Sequence, residues 1–338
     1  ASLPEKKTES GKPMQIGITR VLQPPLSLSG DSFRYEVSGG HVFLMSVSSK
    51  GAKAVRVRFS EMNLPEGSRI FIFPLGKDEF YGPFHNSPLP DKTLWTPPVS
   101  GEVIVIEFFL PNGQLEKTDD YFQVLEIAHN FSGVGEFLLG PPEQPCHNDV
   151  GAEYASMASA VGYLEFVNQD GSYICSGTLL SANSNNPAPH LLTANHCFRT
   201  QAAAQSLRAY WNYNSGDSPP PGTSFTDGAE LLTTTPLSDF TFVRLTGSFP
   251  GGLTHSGWEG GDPASNATIV GIHHPKGSHK RISFGFSSTI GSSCSTNLPS
   301  ACENYIPITW TSGTAEGGSS GSGLFYTASN SGRLIGNL

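Results

Sequence analysis

The chain has 338 residues, with 20 lysines and arginines against 29 acidic residues and a formal net charge of −9. This length suits two or three domains, and the acidic excess gives no electrostatic reason to bind nucleic acid. No apolar run approaches the roughly 20 residues of a membrane span, so we expect neither a nucleic acid nor a membrane as a partner.

Glycine and proline are abundant, at 38 and 26 residues, and only 14% of residues are charged. This composition favours an all-β, turn-rich protein over a helical one. The chain opens with a polar segment, Glu5 to Lys12, and residues 1–29 are predicted to form a flexible tail.

Strand patterns begin near residue 30. The clearest is Ala54 to Phe59, in which Val55, Val57 and Phe59 share one face and the arginines the other. Similar strands are predicted at Val42 to Ser46, Arg69 to Phe73, Val103 to Phe108 and Phe122 to Ile127. Short strands at this spacing predict a β-sandwich over residues 30–140.

The prolines of residues 141–145 would block both a helix and a strand ladder, so this segment is predicted to be a linker before a second domain, 146–338. No helical period of ten residues stands out there. Strands are predicted at Val161 to Val167, Ser172 to Leu180, Leu191 to Ala194, Leu207 to Trp211, Ala229 to Leu232, Phe240 to Leu245, Ala267 to Ile272, Ile282 to Phe286 and Tyr305 to Trp310. The pattern fits two antiparallel barrels with a site in the cleft.

All five cysteines lie beyond residue 145. Cys175 with Cys197, and Cys294 with Cys302, would make short-loop disulfides and would leave Cys146 unpaired. Disulfides indicate an oxidising compartment, which predicts a secreted, extracellular protein. The alternative is five free thiols in a cytosolic protein.

A serine between glycines, in Glu316 to Gly323, precedes the apolar run Leu324 to Tyr326. Glycines allow a tight turn that leaves Ser320 open to attack a substrate and can direct backbone N–H groups to one point. Taken alone, the segment is also typical of a surface turn.

Two further segments favour catalysis. Leu191 to Cys197 ends in His196 beside a cysteine, and Asp239 stands directly before the strand-like run Phe240 to Val243. The chain order histidine, aspartate, serine is that of the chymotrypsin branch of serine proteases. Asp227 and Asp262 are weaker candidates because no alternating apolar run follows them.

Five motifs together resemble the secreted bacterial lysyl endopeptidases, which are trypsin-like serine proteases of chymotrypsin fold made with a long amino-terminal pro-region. They are Cys146 to Val150, Cys175 to Leu179, Thr193 to Cys197, Gly271 to Pro275 and Gly317 to Ser322. The resemblance covers residues 146–338, and 40–130 are similar to the pro-region with less distinctive motifs.

This resemblance implies a secreted endopeptidase that cleaves polypeptides through an acyl-enzyme, needs no cofactor or metal, is a monomer, and has its own pro-region as an intramolecular partner. Ser320, rather than Ser319, would be the nucleophile and His196 the general base. Asp239 would orient the imidazole, and the N–H groups of Gly318 and Ser320 would form the oxyanion hole.

The sequence departs from the family in three respects. Ser319 occupies the position where trypsin has an aspartate that receives the freed amino terminus, so no such ion pair is expected. Family members continue beyond the equivalent of Leu338, so the protease domain is predicted to be incomplete, lacking its last strands and the partner of Cys146. No lysine or arginine occurs between Lys117 and Arg199, so a lysine-specific enzyme could not release itself near the linker.

Two other functions remain open on the sequence. One is a catalytically inactive, β-rich protein that binds peptides or surfaces. The other is a metallohydrolase that uses His273 and His274, although adjacent residues of a strand point to opposite faces and chelate one ion poorly.

Overall fold

The computed structural model describes residues 13–87, 91–114, 121–132, 145–182, 189–215, 224–288, 305–327 and 332–338. The chain divides into two compact units. The first comprises residues 16–134 with the turn 169–172, and the second comprises 1–15, 135–168 and 173–338. Strand β1, Met14–Gln15, belongs to the second unit.

The first unit consists of two antiparallel sheets. Its strands are β2 Gly17–Ser27, β3 Phe33–Val37, β4 Gly40–Ser48, β5 Ala54–Ser60, β6 Arg69–Pro74, β7 Tyr81–Phe84, β8 Leu94–Trp95, β9 Val99–Ser100, β10 Val103–Pro111 and β11 Gln123–Asn130. One sheet has the order β3-β4-β10-β6-β7, and the other the order β2-β11-β5-β8, with β9 also paired to β5. A single helical turn, α1 Leu28–Asp31, follows β2 and is capped by Ser27.

Both sheets contribute to one hydrophobic core. Val57 and Phe59 of β5 pack in the same cluster as Ile72 of β6 and Ile106 and Phe108 of β10. Strand β10 alternates buried and half-buried residues along its length, as period-2 geometry requires. Each large apolar side chain buried in this way contributes about 1.5–3 kcal/mol. The predicted β-sandwich is confirmed.

The flexible tail predicted for residues 1–29 is wrong for residues 14–15, which form β1, for 17–27, which form β2, and for 28–29, which lie in α1. Pro24 and Pro25 concealed the strand, since proline cannot donate to a ladder. They are tolerated because β2 is an edge strand whose register with β11 shifts between Val124 and Glu126. Residues 1–12 lie outside the described part of the chain.

The second unit contains two further sheets. Its later strands are β12 Asn148–Asp149, β13 Val161–Asn168, β14 Gly171–Leu180, β15 His190–Thr193, β16 Arg208–Tyr210, β17 Phe225–Asp227, β18 Ala229–Thr235, β19 Phe240–Leu245, β20 Thr268–His273, β21 Arg281–Ser287, β22 Ile308–Ser312, β23 Gly323–Tyr326 and β24 Arg333–Asn337. The eight-stranded sheet has the order β17-β16-β13-β14-β15-β19-β18, with β1 on β14. The six-stranded sheet has the order β12-β21-β20-β23-β24, with β22 on β21.

Each of these sheets surrounds its own core. Phe166, Leu191 and Trp211 belong to the core of the larger sheet, and Val270 and Phe325 to that of the smaller one. The helices described here are short: α2 Ala155–Ser159, α3 Gln201–Gln205, and 3₁₀ turns at Ala152–Tyr154 and Pro275–Gly277. The all-β prediction, with two antiparallel sheets in the second part, is confirmed.

The domain bounds 30–140 and 146–338 stay predictions. The linker predicted at residues 141–145 lies almost wholly outside the described residues, since 133–144 are among those not described. Within the described part of the chain, no helix has the length and apolar character needed to cross a membrane.

Candidate active site

His196 stands in the turn that follows β15. The segment is fixed because Cys197 forms a disulfide with Cys175 of β14, and its N–H donates to Ala194 O at 3.2 Å. The predicted bridge between Cys175 and Cys197 is therefore confirmed. The His196 side chain is 20% exposed, so its imidazole lies at the surface of the fold without being free in solvent.

Asp239 reaches His196 because β15 and β19 pair antiparallel, with Thr193 opposite Thr241. The carboxyl end of β15 thus adjoins the amino end of β19. Asp239 Oδ2 lies 2.6 Å from His196 Nδ1, and Oδ1 accepts the backbone N–H of His196 at 2.8 Å. The backbone of Asp239 has a φ of +49°, a left-handed conformation that is uncommon outside glycine and is often found at functional sites.

The contact with Asp239 sets the tautomer of His196. A carboxylate can only accept, so Nδ1 carries the proton and Nε2 of the neutral ring presents a lone pair. Nε2 is buried, and no described residue forms a hydrogen bond with it. The imidazole is therefore arranged to take a proton at Nε2.

The loop that carries Ser320 packs directly against the turn of His196. A Cβ added to Gly321, whose φ is +78°, would lie 2.1 Å from Thr193 Oγ1 and 2.9 Å from Ala194 N. Ser320 O accepts the N–H of Ser176 at 2.8 Å. Only glycine permits this approach of the Ser320 loop to the end of β15. Ser320 Oγ and His196 Nε2 are not hydrogen-bonded to each other.

The N–H groups of Gly318 and Ser320 belong to the turn that carries the predicted nucleophile. Among the described residues, none accepts a hydrogen bond from either of them, whereas the intervening Ser319 N–H donates to Glu316 O at 2.9 Å. Gly318 has a φ of +94°, and a Cβ there would lie 2.9 Å from His274 O. The turn thus presents two donors that could bind an oxygen carrying negative charge.

His273 and His274 have different hydrogen-bond partners. His273 Nδ1 lies 2.8 Å from Ser319 Oγ and Nε2 lies 3.1 Å from Ser283 Oγ. His274 Nδ1 lies 3.0 Å from Ser278 O. Within the described ranges no cluster of three histidine, cysteine, aspartate or glutamate side chains has the geometry of a metal site.

The Ser320 loop is held from behind by side chains for which the sequence predicted no role. Glu316 binds His147 Nε2 at 2.8 Å and Lys276 Nζ at 3.1 Å, and Ser176 Oγ donates to Gly318 O at 2.9 Å. These residues come from four distant segments, so no local pattern joins them. Only the presence of His147 and Ser176 in the motifs that carry the resemblance could have indicated that these side chains matter.

The other two predicted cysteine roles differ in outcome. Cys146 is exposed and forms no disulfide with a described residue. Cys294 and Cys302, predicted to be bridged, lie outside the described residues.

Buried His273 predicts that stability depends on pH. Burial and the neighbouring His147 lower the pKa of His273 to about 3 from 6.5. Below pH 6.5 the unfolded chain binds a proton here that the folded chain does not bind until about pH 3, so stability present above this window is lost as pH falls through it. Within this window, His273 should lower the free energy of unfolding by about 1.4 kcal/mol for each unit by which the pH falls.

Chemical denaturation at several pH values between about 7 and 4 measures this effect. The His273→Gln variant should lose less stability per pH unit than the wild type, by the amount given above. Equal slopes for the two proteins would contradict it.

Comparison with known proteins agrees with the resemblance that the sequence motifs carry. Residues 143–338 match the family model "Lysyl endopeptidase, C-terminal domain", and residues 2–131 match "Lysyl endopeptidase N-terminal domain". A lysyl endopeptidase of Pseudomonas aeruginosa is 28% identical over 343 residues, covering 94% of this chain and 72% of that protein.

Solved serine proteases resemble the chain more distantly. A thermostable serine protease from an extremophilic microorganism has 18% identity and a TM-score of 0.38, covering 52% of this chain and 82% of its own. The serine endoprotease of Yersinia pestis has 17% identity and a TM-score of 0.38, covering 55% of each chain.

Proposed function

The chain belongs to the lysyl endopeptidase family and is a serine endopeptidase, since the two family models together match most of its length. We propose that it cleaves polypeptides through a triad of Ser320, His196 and Asp239. The observation that carries the proposal is the double contact of Asp239 with His196, which leaves Nε2 without a partner among the described residues.

In the proposed reaction, Ser320 Oγ attacks the carbonyl carbon of the scissile peptide bond while His196 Nε2 takes its proton. The carbonyl oxygen becomes an oxyanion, which the N–H groups of Gly318 and Ser320 bind. Asp239 accepts from Nδ1 and stabilises the imidazolium. The imidazolium then protonates the leaving amine, and the acyl-enzyme remains on Ser320.

Water completes the cycle by the same steps. His196 Nε2 takes a proton from the water that attacks the acyl carbon, the oxyanion forms again in the same pair of donors, and the proton returns to Ser320 Oγ as the acid leaves. Because both halves of the reaction need an unprotonated Nε2, the tautomer set by Asp239 serves each of them.

We also propose that the chain is a secreted proenzyme, with 146–338 as the protease domain. Its pro-region would be the predicted range 30–140 extended to include β2, which pairs with β11 in the same compact unit. The disulfide between Cys175 and Cys197 supports an oxidising compartment. The absence of lysine and arginine between Lys117 and Arg199 means that a strictly lysine-specific enzyme could not separate the two parts itself. We therefore expect that another protease separates the two parts, that the enzyme is not strictly lysine-specific, or that the pro-region stays attached.

A fluorophosphonate probe tests the proposed nucleophile. An activated serine oxygen displaces fluoride from the probe's phosphorus, so we expect the wild type to be labelled at Ser320 and Ser320→Ala not to be labelled. Ser322→Ala is the matched control, because Ser322 Oγ is buried in the same loop and has no hydrogen-bond partner among the described residues. It should be labelled like the wild type.

Tryptic peptide mapping would identify the labelled serine. A folded wild type that is not labelled would refute the proposal and favour the inactive, peptide-binding alternative. Label retained by Ser320→Ala, at Ser319 or elsewhere, would refute the assignment of Ser320.

A further inference from the structure

The loop from Glu316 to Ser320 is anchored behind the two proposed oxyanion donors. Lys276 N–H donates to Gly317 O at 2.6 Å, and Ser176 Oγ donates to Gly318 O at 2.9 Å. Ser319, between the two donors, is fully buried and points away from the catalytic face, since its Oγ contacts His273 Nδ1. Its side chain is therefore a structural anchor of the loop.

The direction of each hydrogen bond around His273 follows from counting protons. Ser283 Oγ donates to Thr314 O at 3.0 Å, so it must accept from His273 Nε2 at 3.1 Å. A neutral imidazole has one N–H, so Nδ1 accepts the hydroxyl proton of Ser319 at 2.8 Å. Ser319 Oγ in turn accepts the N–H of Glu316 at 3.1 Å.

This chain of hydrogen bonds has only one consistent arrangement, and it requires a neutral His273. The imidazole and both hydroxyls are almost completely buried, with His273 1% exposed and Ser283 and Ser319 0% exposed. A protonated ring would put a second N–H against Ser319 and leave its hydroxyl proton without this acceptor. An unpaired polar group at such a depth is costly, so the network fixes the loop in one conformation.

The carboxylate of Glu316 adds a second attachment at the start of the loop. His147 lies on one side of it at 2.8 Å and Lys276 on the other at 3.1 Å, and the carboxylate is largely buried. The rings of His147 and His273 also pack edge to face, with their centroids 5.6 Å apart. Both ends of the turn from Glu316 to Ser319 are thus attached to the same group of side chains.

We propose that His273 is a positioning residue for catalysis: acting through Ser319, it holds the peptide units of Gly318 and Ser320 with their N–H groups directed at the oxyanion. The proposal rests on the proposed function of these two donors. It also explains how the loop is ordered when Ser319 takes the place of an aspartate, without an ion pair from a released amino terminus.

The consequence is a separation of kcat from KM. Misdirected donors weaken binding of the oxyanion, which exists only in the transition state, and leave ground-state binding of the peptide almost intact. His273→Phe removes both hydrogen bonds of the ring and should lower kcat by about 10–10³-fold, the upper end being the loss of one complete donor. The KM should change by less than about threefold.

Two further variants make the test specific. His273→Gln keeps one donor and one acceptor and should recover part of the lost kcat. Ser319→Ala breaks the network from the other end and should reproduce the effect of His273→Phe. His255→Gln is the control, because the ring of His255 packs against Phe249 in the same unit and takes no part in this network, and its kcat should stay near that of the wild type.

The measurements are steady-state kinetics on a peptide substrate, thermal unfolding of each variant and affinity for a peptide boronate, whose tetrahedral oxygen occupies the oxyanion position. Weaker boronate binding with unchanged KM supports the proposal. If His273→Phe does not fold, Ser319→Ala decides the outcome. Folded variants with wild-type kcat and boronate affinity would overturn it, whereas a wild type that the fluorophosphonate does not label would overturn the proposed function itself.

Discussion

Replacing His196 by alanine is expected to lower kcat by about 10⁶-fold, close to the loss seen when a serine protease loses its general base. Without Nε2, nothing in the described part of the site can take the proton of Ser320 Oγ as it attacks. The residual rate would come from substrate binding and the two backbone donors of the loop. The measurement is kcat and KM on a peptide substrate, with active-site concentration determined in the wild type.

His255→Gln is the control for a general effect of losing an imidazole. The ring of His255 packs against Phe249 in the same unit and has no part in the proposed triad. Its kcat should therefore stay near that of the wild type. A folded His196→Ala variant that kept a tenth of the wild-type kcat or more would contradict the role of His196.

Local patterns in the sequence predict the two strands beside which His196 and Asp239 lie. His196 follows β15 and Asp239 precedes β19, and period-2 alternation marks both strands. Antiparallel pairing then brings the end of one strand to the start of the other, which the register of Thr193 with Thr241 reports. The meeting of the imidazole and the carboxylate could therefore be expected once the two strands were recognised.

The anchors of the Ser320 loop could not be derived in this way. His147, His273, Ser283 and Glu316 come from separate segments, and each contact depends on how β20 and β21 of the smaller sheet pack behind the loop. A buried histidine has no characteristic neighbours in sequence. For this reason the adjacent pair His273 and His274 invited a metal interpretation, whereas in the structure one ring bonds to two hydroxyls and the other to a backbone carbonyl.

Edge strands formed the other weak point of sequence reasoning. Strand β2 contains two prolines, and β24 has only five residues, so neither shows a clear alternating pattern. Such strands form because a neighbouring strand supplies the hydrogen-bonding partner, and tertiary context then overrides local preference. The central strands β5 and β10, buried in the core, were the easiest to predict.

Replacing Asp239 by asparagine is expected to lower kcat by about 10⁴-fold while leaving the fold intact. The side chain at this position meets two donors, the His196 backbone N–H at 2.8 Å and Nδ1 at 2.6 Å. An asparagine has one acceptor oxygen and one NH₂ group. If its oxygen accepts the backbone N–H, its NH₂ faces Nδ1, and the ring must then carry its proton on Nε2.

A proton on Nε2 removes the general base, and the opposite orientation of the amide would set two donors against each other at the backbone N–H. Either orientation accounts for the loss without any change in substrate contacts, so KM should change little. Asp262→Asn is the matched control, because Asp262 is exposed in the same unit, and it should keep the wild-type kcat.

Nitrogen-15 NMR of the imidazole, compared between the wild type and Asp239→Asn, reports the tautomer directly. An Asp239→Asn enzyme of normal kcat, or one whose ring still carried its proton on Nδ1, would show that Asp239 does not set the tautomer on which catalysis by Ser320 depends.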